Sequence, residues 1–160
     1  MLFRSRLIER ENEKRRLWLA NQILNATVLD PSCGTGDFLL RATNYLFEKI
    51  IQLEENLRQK KNRQFNAYIG IASNAHGLDI NARAIKLVKI RLVLETIKMV
   101  KKIGFNLNER KLVSVLQDLN RNLNNSIKTG NTLEKNIEEK VFRESSAERK
   151  EGFDIVIGNP

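Results

Sequence analysis

The chain has 160 residues, with 28 Lys and Arg against 19 Asp and Glu, a net charge of +9, one Cys and one His. This length suits a single domain with a real core. A lone Cys excludes an internal disulfide framework, and no apolar run approaches the ~20 residues of a membrane span. Met1–Phe3 leads into Arg4 and Arg6 and then mixed charge, which predicts no secretory leader and a reducing, cytoplasmic setting. The positive excess points to a polyanionic partner without speaking to fold.

Residues 3–24 predict a helix, with Leu7, Ile8, Leu17, Trp18, Ile23 and Leu24 set among charges. Ala26–Asp30 is short, apolar and β-branched and stops at Pro31, which suits a buried strand. After a turn marked by Gly34 and Gly36, Phe38–Leu57 carries apolar residues at three- and four-residue spacing, the pattern of an amphipathic helix. Arg58–Gln64 is polar and basic and reads as a loop; Ala67–Ala72 is apolar and of ambiguous type. Ala75–Ile80 predicts a second strand. Asn81 is placed to cap a helix whose stripe is Ile85, Val88, Leu92, Thr96, Met99 and Ile103, with Gly104 as its stop. Residues 111–123 suit a further short helix, Ser126–Thr129 a strand, and residues 134–152 a helix piece with a mobile loop. Phe153–Ile157 reads as a buried strand that runs into Gly158, Asn159 and Pro160. Strands alternating with helices predict an α/β protein with a mostly parallel sheet. Its ligand is expected beyond the carboxyl ends of the strands.

Charge is uneven along the chain. Residues 81–111 hold nine basic side chains (Arg83, Lys86, Lys89, Arg91, Lys98, Lys101, Lys102, Arg110, Lys111) and two acidic ones, Glu95 and Glu109. Such a stretch suits a phosphate-binding face. It equally suits a solvated helix face whose long stems cover apolar surface.

Chemistry concentrates in the turns. Gly34 and Gly36, within Asp30-Pro31-Ser32-Cys33-Gly34-Thr35-Gly36, let backbone approach a ligand because no Cβ intervenes. There is no Gly-Lys-Ser/Thr of a phosphate loop, and the third glycine of the dinucleotide fingerprint is absent. Asp79 closes the second strand, where a carboxylate accepts hydrogen bonds from ribose hydroxyls or partners a helix N-terminus. Cys33 reads as a small turn residue and not a nucleophile, because His76 belongs to another strand and no other base of that type is present. His76 reads as a structural strand residue. With one His and one Cys, a Cys/His metal site is excluded. The interval from Asp30 to Asp79 exceeds the ~20 residues of a compact unit; the excess reads as a lengthened helix plus the basic loop at Arg58–Gln64.

These residues carry a resemblance. DPSCGTGDFLL from Asp30 resembles the cofactor motif of S-adenosylmethionine-dependent amino-methyltransferases acting on DNA adenine. HGLDINARAIKLVKIRL from His76 resembles their second motif, IKTGNTL from Ile127 the third, and FDIVIGNP from Phe153 the opening of the fourth. The pattern is most similar to the large adenine methylases of type II restriction–modification systems and covers about residues 26–160. It implies a Rossmann-like class I methyltransferase fold represented by strands one to four. Residues 1–25 are then an N-terminal helix, and residues 26–160 part of an S-adenosylmethionine-binding methyltransferase domain. The resemblance further implies that Asp30, Pro31, Ser32, Cys33, Gly34, Thr35 and Gly36 hold the methionine end of the cofactor, with Phe38 packed beside it. Asp79 would bind the ribose and Ile80 pack on the adenine. Asn131 stands where many relatives have an Asp that contacts the adenine amino group. Asn159 and the Pro160 carbonyl would accept hydrogen bonds from the amino group of a target adenine flipped out of double-stranded DNA. An aromatic amine is a poor nucleophile because its lone pair is delocalised; two acceptors localise and aim it, a positional and electrostatic effect that needs no metal.

The family's motif continues with a second Pro and an aromatic residue, and the sequence stops at Pro160. The reading is therefore of the front part of a larger enzyme, with strand four left with an open far edge and the isolated chain inactive. Guanine-amino methyltransferases of ribosomal RNA and glutamine methyltransferases of release factors share similar first and fourth motifs and stand as alternatives. A non-catalytic remnant that binds cofactor or nucleic acid is the third.

Overall fold

The structure, a computed structural model, describes residues 2–54, 60–105, 108–134 and 152–158. In chain order these form α1 (Leu2–Asn25), β1 (Val28–Asp30), α2 (Asp37–Leu53), α3 (Lys61–Ser73), β2 (Ala75–Asp79), α4 (Ala82–Ile103), α5 (Glu109–Ser126), β3 (Ile127–Thr129) and β4 (Ile155–Val156). The strands make one sheet in the order β3-β2-β1-β4, and every pairing is parallel. This is the order of the first four strands of a doubly wound α/β sheet. Parallel neighbours require crossovers, which the helices supply.

Side-chain parity along the strands divides the core. Val28, Ala75 and Ile127 pack with Leu39 and Ile50 of α2, Tyr68 and Ile71 of α3, Val88 and Leu92 of α4, and Leu119 and Leu123 of α5. Leu29 and Leu78 have the opposite parity and form a second cluster with Phe153. His76 shares that face. It is buried, its Nδ1 lies 2.9 Å from the Asn74 carbonyl oxygen, and its ring meets Phe153 edge-on at 5.0 Å. It is a structural strand residue, as the sequence reading has it.

The cap and stop of α4 are as expected. The Asn81 side-chain oxygen accepts hydrogen bonds from the Arg83 and Ala84 N–H groups at 2.9 and 3.3 Å, and Gly104 ends the helix in the left-handed region. Three expectations are corrected. Arg58–Gln64 is not a loop throughout, because Lys61–Gln64 form the first turn of α3. Its polar front is held by tertiary contacts: Lys61 Nζ donates to the Gly104 carbonyl at 3.1 Å, and Phe65, Tyr68, Ile71 and Ala72 bury the face behind it. Among the described residues, the long interval between Asp30 and Asp79 therefore holds two helices, and α2 ends at Leu53 instead of Leu57. The strand expected over Phe153–Ile157 is confined to Ile155–Val156, with Val156 62% exposed, because among the described residues it pairs on one edge only, with β1. The helix piece and loop expected over 134–152 lie almost entirely outside the described residues.

Candidate functional site

The carboxyl ends of the strands gather the turns that stand out in the sequence. Asp79, closing β2, joins three of them. Its Oδ2 accepts a hydrogen bond from the Gly34 N–H at 2.8 Å. Its Oδ1 accepts from the Asn81 N–H at 2.8 Å. Its main-chain carbonyl accepts from the Gly130 N–H at 3.0 Å. A carboxylate has about four acceptor positions, so both oxygens retain capacity for a ligand.

The turn after β1 is fixed by packing as well as by hydrogen bonds. The Cys33 N–H donates to the Leu78 carbonyl at 2.9 Å, and the Gly36 N–H to the Cys33 carbonyl at 2.7 Å. Gly36 has φ 85° and lies against α4, where an added Cβ would collide with the Val88 side chain. Glycine is thus required there twice over, by conformation and by space. Gly34 also has positive φ, 50°, yet among the described residues nothing beyond its chain neighbours lies within 4 Å of where its Cβ would be.

Cys33 points inward. A Cβ on Gly77 would come within 2.9 Å of its Sγ, and burial, helped by the charges of Asp30 and Asp79, pushes the thiol up to about 12. A thiol held protonated in this way is no nucleophile at neutral pH, in line with its reading as a turn residue.

Asp30 is fully buried. Its Oδ1 accepts from the Ser32 N–H at 3.2 Å, while its Oδ2 is buried without a hydrogen-bond partner among the described residues. Burial raises its pKa, the Ser32 N–H opposes that rise, and the Asp79 charge adds to it. An unmatched buried carboxylate oxygen is costly; it suits a site completed by a cationic group. Above it lies the end of β4. The Ile157 N–H donates to the Leu29 carbonyl at 2.8 Å, and a Cβ on Gly158 would sit 3.3 Å from Asp30 Oδ1 and 3.7 Å from Pro31 Cδ. The residue before Asn159 therefore rests against the β1 turn; Asn159 and Pro160 themselves lie outside the described residues.

The other expected positions border this centre. Phe38, in the first turn of α2, is 48% exposed, and Ile80, just past Asp79, is 75% exposed. Asn131 follows β3, where its side-chain oxygen accepts from the Leu133 N–H at 3.1 Å. That oxygen is engaged in a local turn, which leaves one of its lone pairs for a ligand. A cavity of about 360 Å³ between helices, lined in part by Phe47, Ile51, Met99 and Ile103, is remote from the strand ends.

Several side chains of the basic stretch are engaged within the chain. Arg91 turns toward the β1 turn, where its Nη1 donates to the Thr35 carbonyl at 2.7 Å and its Nη2 to Asp37 Oδ1 at 2.6 Å. Lys98 pairs with Glu95 at 3.2 Å. Lys89 donates to Asn124 Oδ1 at 3.0 Å, and burial, then the charge of Lys128, lowers its pKa. Arg91 had no signal beyond membership of a charge run, since its partner Thr35 is 56 residues away. Among the described residues no group of three His, Cys, Asp or Glu side chains could hold a metal ion, and no helix is long and apolar enough to cross a membrane.

A parallel sheet in this order, with a glycine turn and an acidic strand end joined at its carboxyl edge, defines a Rossmann-like domain of the methyltransferase kind. The family comparison is specific: the model of the MmeI DNA-methyltransferase domain matches residues 7–160. The chain belongs to that family, and so to the DNA methyltransferases of restriction–modification, as its motifs imply. No curated protein and no solved structure matches the chain.

Proposed function

We propose that the chain uses S-adenosylmethionine to methylate the exocyclic N6 amine of adenine in double-stranded DNA, with residues 26–160 as the cofactor-binding region behind an N-terminal helix over 1–25. The observation that carries this reading is the 2.8 Å hydrogen bond from the Gly34 N–H to Asp79, which couples the glycine turn to the acidic strand end.

The residues present fit the cofactor. Asp30 offers an ammonium group a buried oxygen that has no partner among the described residues. Gly34 has the room that backbone contact needs, beside Pro31, Ser32, Cys33, Thr35 and Gly36. Asp79 would accept from ribose hydroxyls, Ile80 and Phe38 offer exposed apolar surface to the adenine and to the chain beside it, and Asn131 would accept from the adenine amino group. When bound, S-adenosylmethionine supplies an electrophilic sulfonium methyl. By resemblance, the Asn159 side-chain oxygen and the Pro160 carbonyl would accept hydrogen bonds from the target amine, localise its lone pair and orient it. The target base must first leave the duplex stack for its amine to reach these acceptors.

Transfer of labelled methyl groups to DNA, with analysis of the modified base, tests this. In the intact enzyme, Asn159→Ala is expected to lower transfer by a factor of about 100 or more, the scale of losing an aligned polar group, with cofactor affinity nearly unchanged. Label on cytosine or guanine, or full transfer by the variant, contradicts the reading.

A further inference from the structure

One peptide unit in the β1 turn is held at both ends. The Gly36 N–H donates to the Cys33 carbonyl at 2.7 Å, and the Thr35 carbonyl of the same peptide accepts from Arg91 Nη1 at 2.7 Å. Arg91 Nη1 also lies 3.1 Å from Thr35 Oγ1. The second arm of the guanidinium pairs with Asp37 Oδ1 at 2.6 Å, at the first residue of α2. A planar fork suits this double duty, and an ammonium does not. Arg91 comes from α4, the same helix whose Val88 forces glycine at 36, so α4 shapes the turn through a steric and a polar contact one helical turn apart.

Asp37 also matters electrostatically. A helix N-terminus favours anions, but an aspartate placed there leaves a negative charge beside the turn. The hydrogen bond and charge of Arg91 hold the Asp37 carboxyl below its ordinary range, and the pair presents no net charge.

We propose that Arg91 is a positioning residue of the cofactor site: it fixes the Thr35–Gly36 peptide and neutralises Asp37 at the head of α2, and so sets the affinity for the amino-acid end of S-adenosylmethionine. The inference rests on the S-adenosylmethionine reading above. It concerns the β1 turn alone; the nucleoside end belongs to Asp79 and Ile80, across the site.

Calorimetric titration of the whole chain with S-adenosylmethionine, S-adenosylhomocysteine and adenosine separates the two ends. Arg91→Ala is expected to weaken both amino-acid-bearing ligands about tenfold, the scale of a lost hydrogen bond to a charged group, and adenosine by less than about twofold. Arg91→Lys keeps the charge without the fork and is expected to weaken them about threefold. Lys98→Ala, which breaks an exposed pair on the same helix, is expected to leave all three unchanged. Equal weakening of adenosine and S-adenosylmethionine would mark general loss of structure and overturn the inference; so would wild-type affinity in Arg91→Ala. Where Arg91→Ala does not fold, Arg91→Lys decides between the same outcomes. A wild-type chain that binds none of the ligands overturns the cofactor reading and this inference together. Binding by the wild type that Arg91→Ala matches overturns the inference alone.

Discussion

The turns after β1 and after β3 sit at the same edge of the sheet and are built by different means. The first is assembled from afar: Arg91 and Val88 from α4 and Asp79 and Leu78 from β2 fix its shape, and Gly158 from beyond β4 lies against it. The second is tied to β2 through the Gly130 N–H, but Asn131 is otherwise held by its own near neighbours. The side proposed for the methionine end is therefore preformed. The side proposed for the adenine consists of the exposed Ile80 and of Asn131 in its local turn. A rigid turn can impose geometry on a reacting centre, while an apolar shelf need only supply contact.

This contrast can be broken by substitution. Gly36→Ala should have the largest effect, because it combines a left-handed φ with a collision against Val88. A loss of roughly 3 kcal/mol is expected by chemical denaturation. Gly34→Ala shares the positive φ without the collision, and about 1 kcal/mol is expected. Equal costs at the two positions would show that packing against α4 does not shape the turn.

A pH series sharpens the same comparison. Burial raises the pKa of Asp30 above its ordinary 3.8 in the folded chain. Below 3.8 the group is protonated folded and unfolded and has no differential effect. As pH rises through the window up to the raised value, the unfolded chain ionises first and the folded state loses relative stability. The stability advantage of Asp30→Asn over the wild type should therefore grow with pH above 3.8 and then level off. An advantage that is flat or shrinks would remove the buried unmatched carboxylate from the account. The smallest effect is expected on the other turn: Asn131→Ala should cost about 0.5 kcal/mol, the low end for a local side-chain cap. A loss as large as that of Gly36→Ala would mean that both turns are tightly built.

Much of this was legible in the sequence because the signals are local. Short β-branched runs at Val28 and Ile127, Asn81 before an apolar stripe and Gly104 after it give the order of elements. Paired glycines and an Asp at a strand end mark the candidate site. What was not legible depends on distance. Lys61–Gln64 is polar and loop-like on its own; it is helical because Phe65 and Tyr68 bury the turns that follow and Gly104 receives Lys61. Phe153–Ile157 has a strand's apolar content, but the extent of β4 depends on how many neighbours it pairs with. Arg91 sits among eight other basic residues in its stretch, and only the fold shows that it faces Thr35 and Asp37.

The central claim is that the glycine turn and Asp79 together form an S-adenosylmethionine site. Calorimetric titration of the wild type and Asp79→Ala tests it most directly. The account predicts measurable binding by the wild type and at least about a tenfold loss in the variant, since ribose acceptors and the Gly34 anchor are removed together. Equal affinity in the two proteins would contradict it.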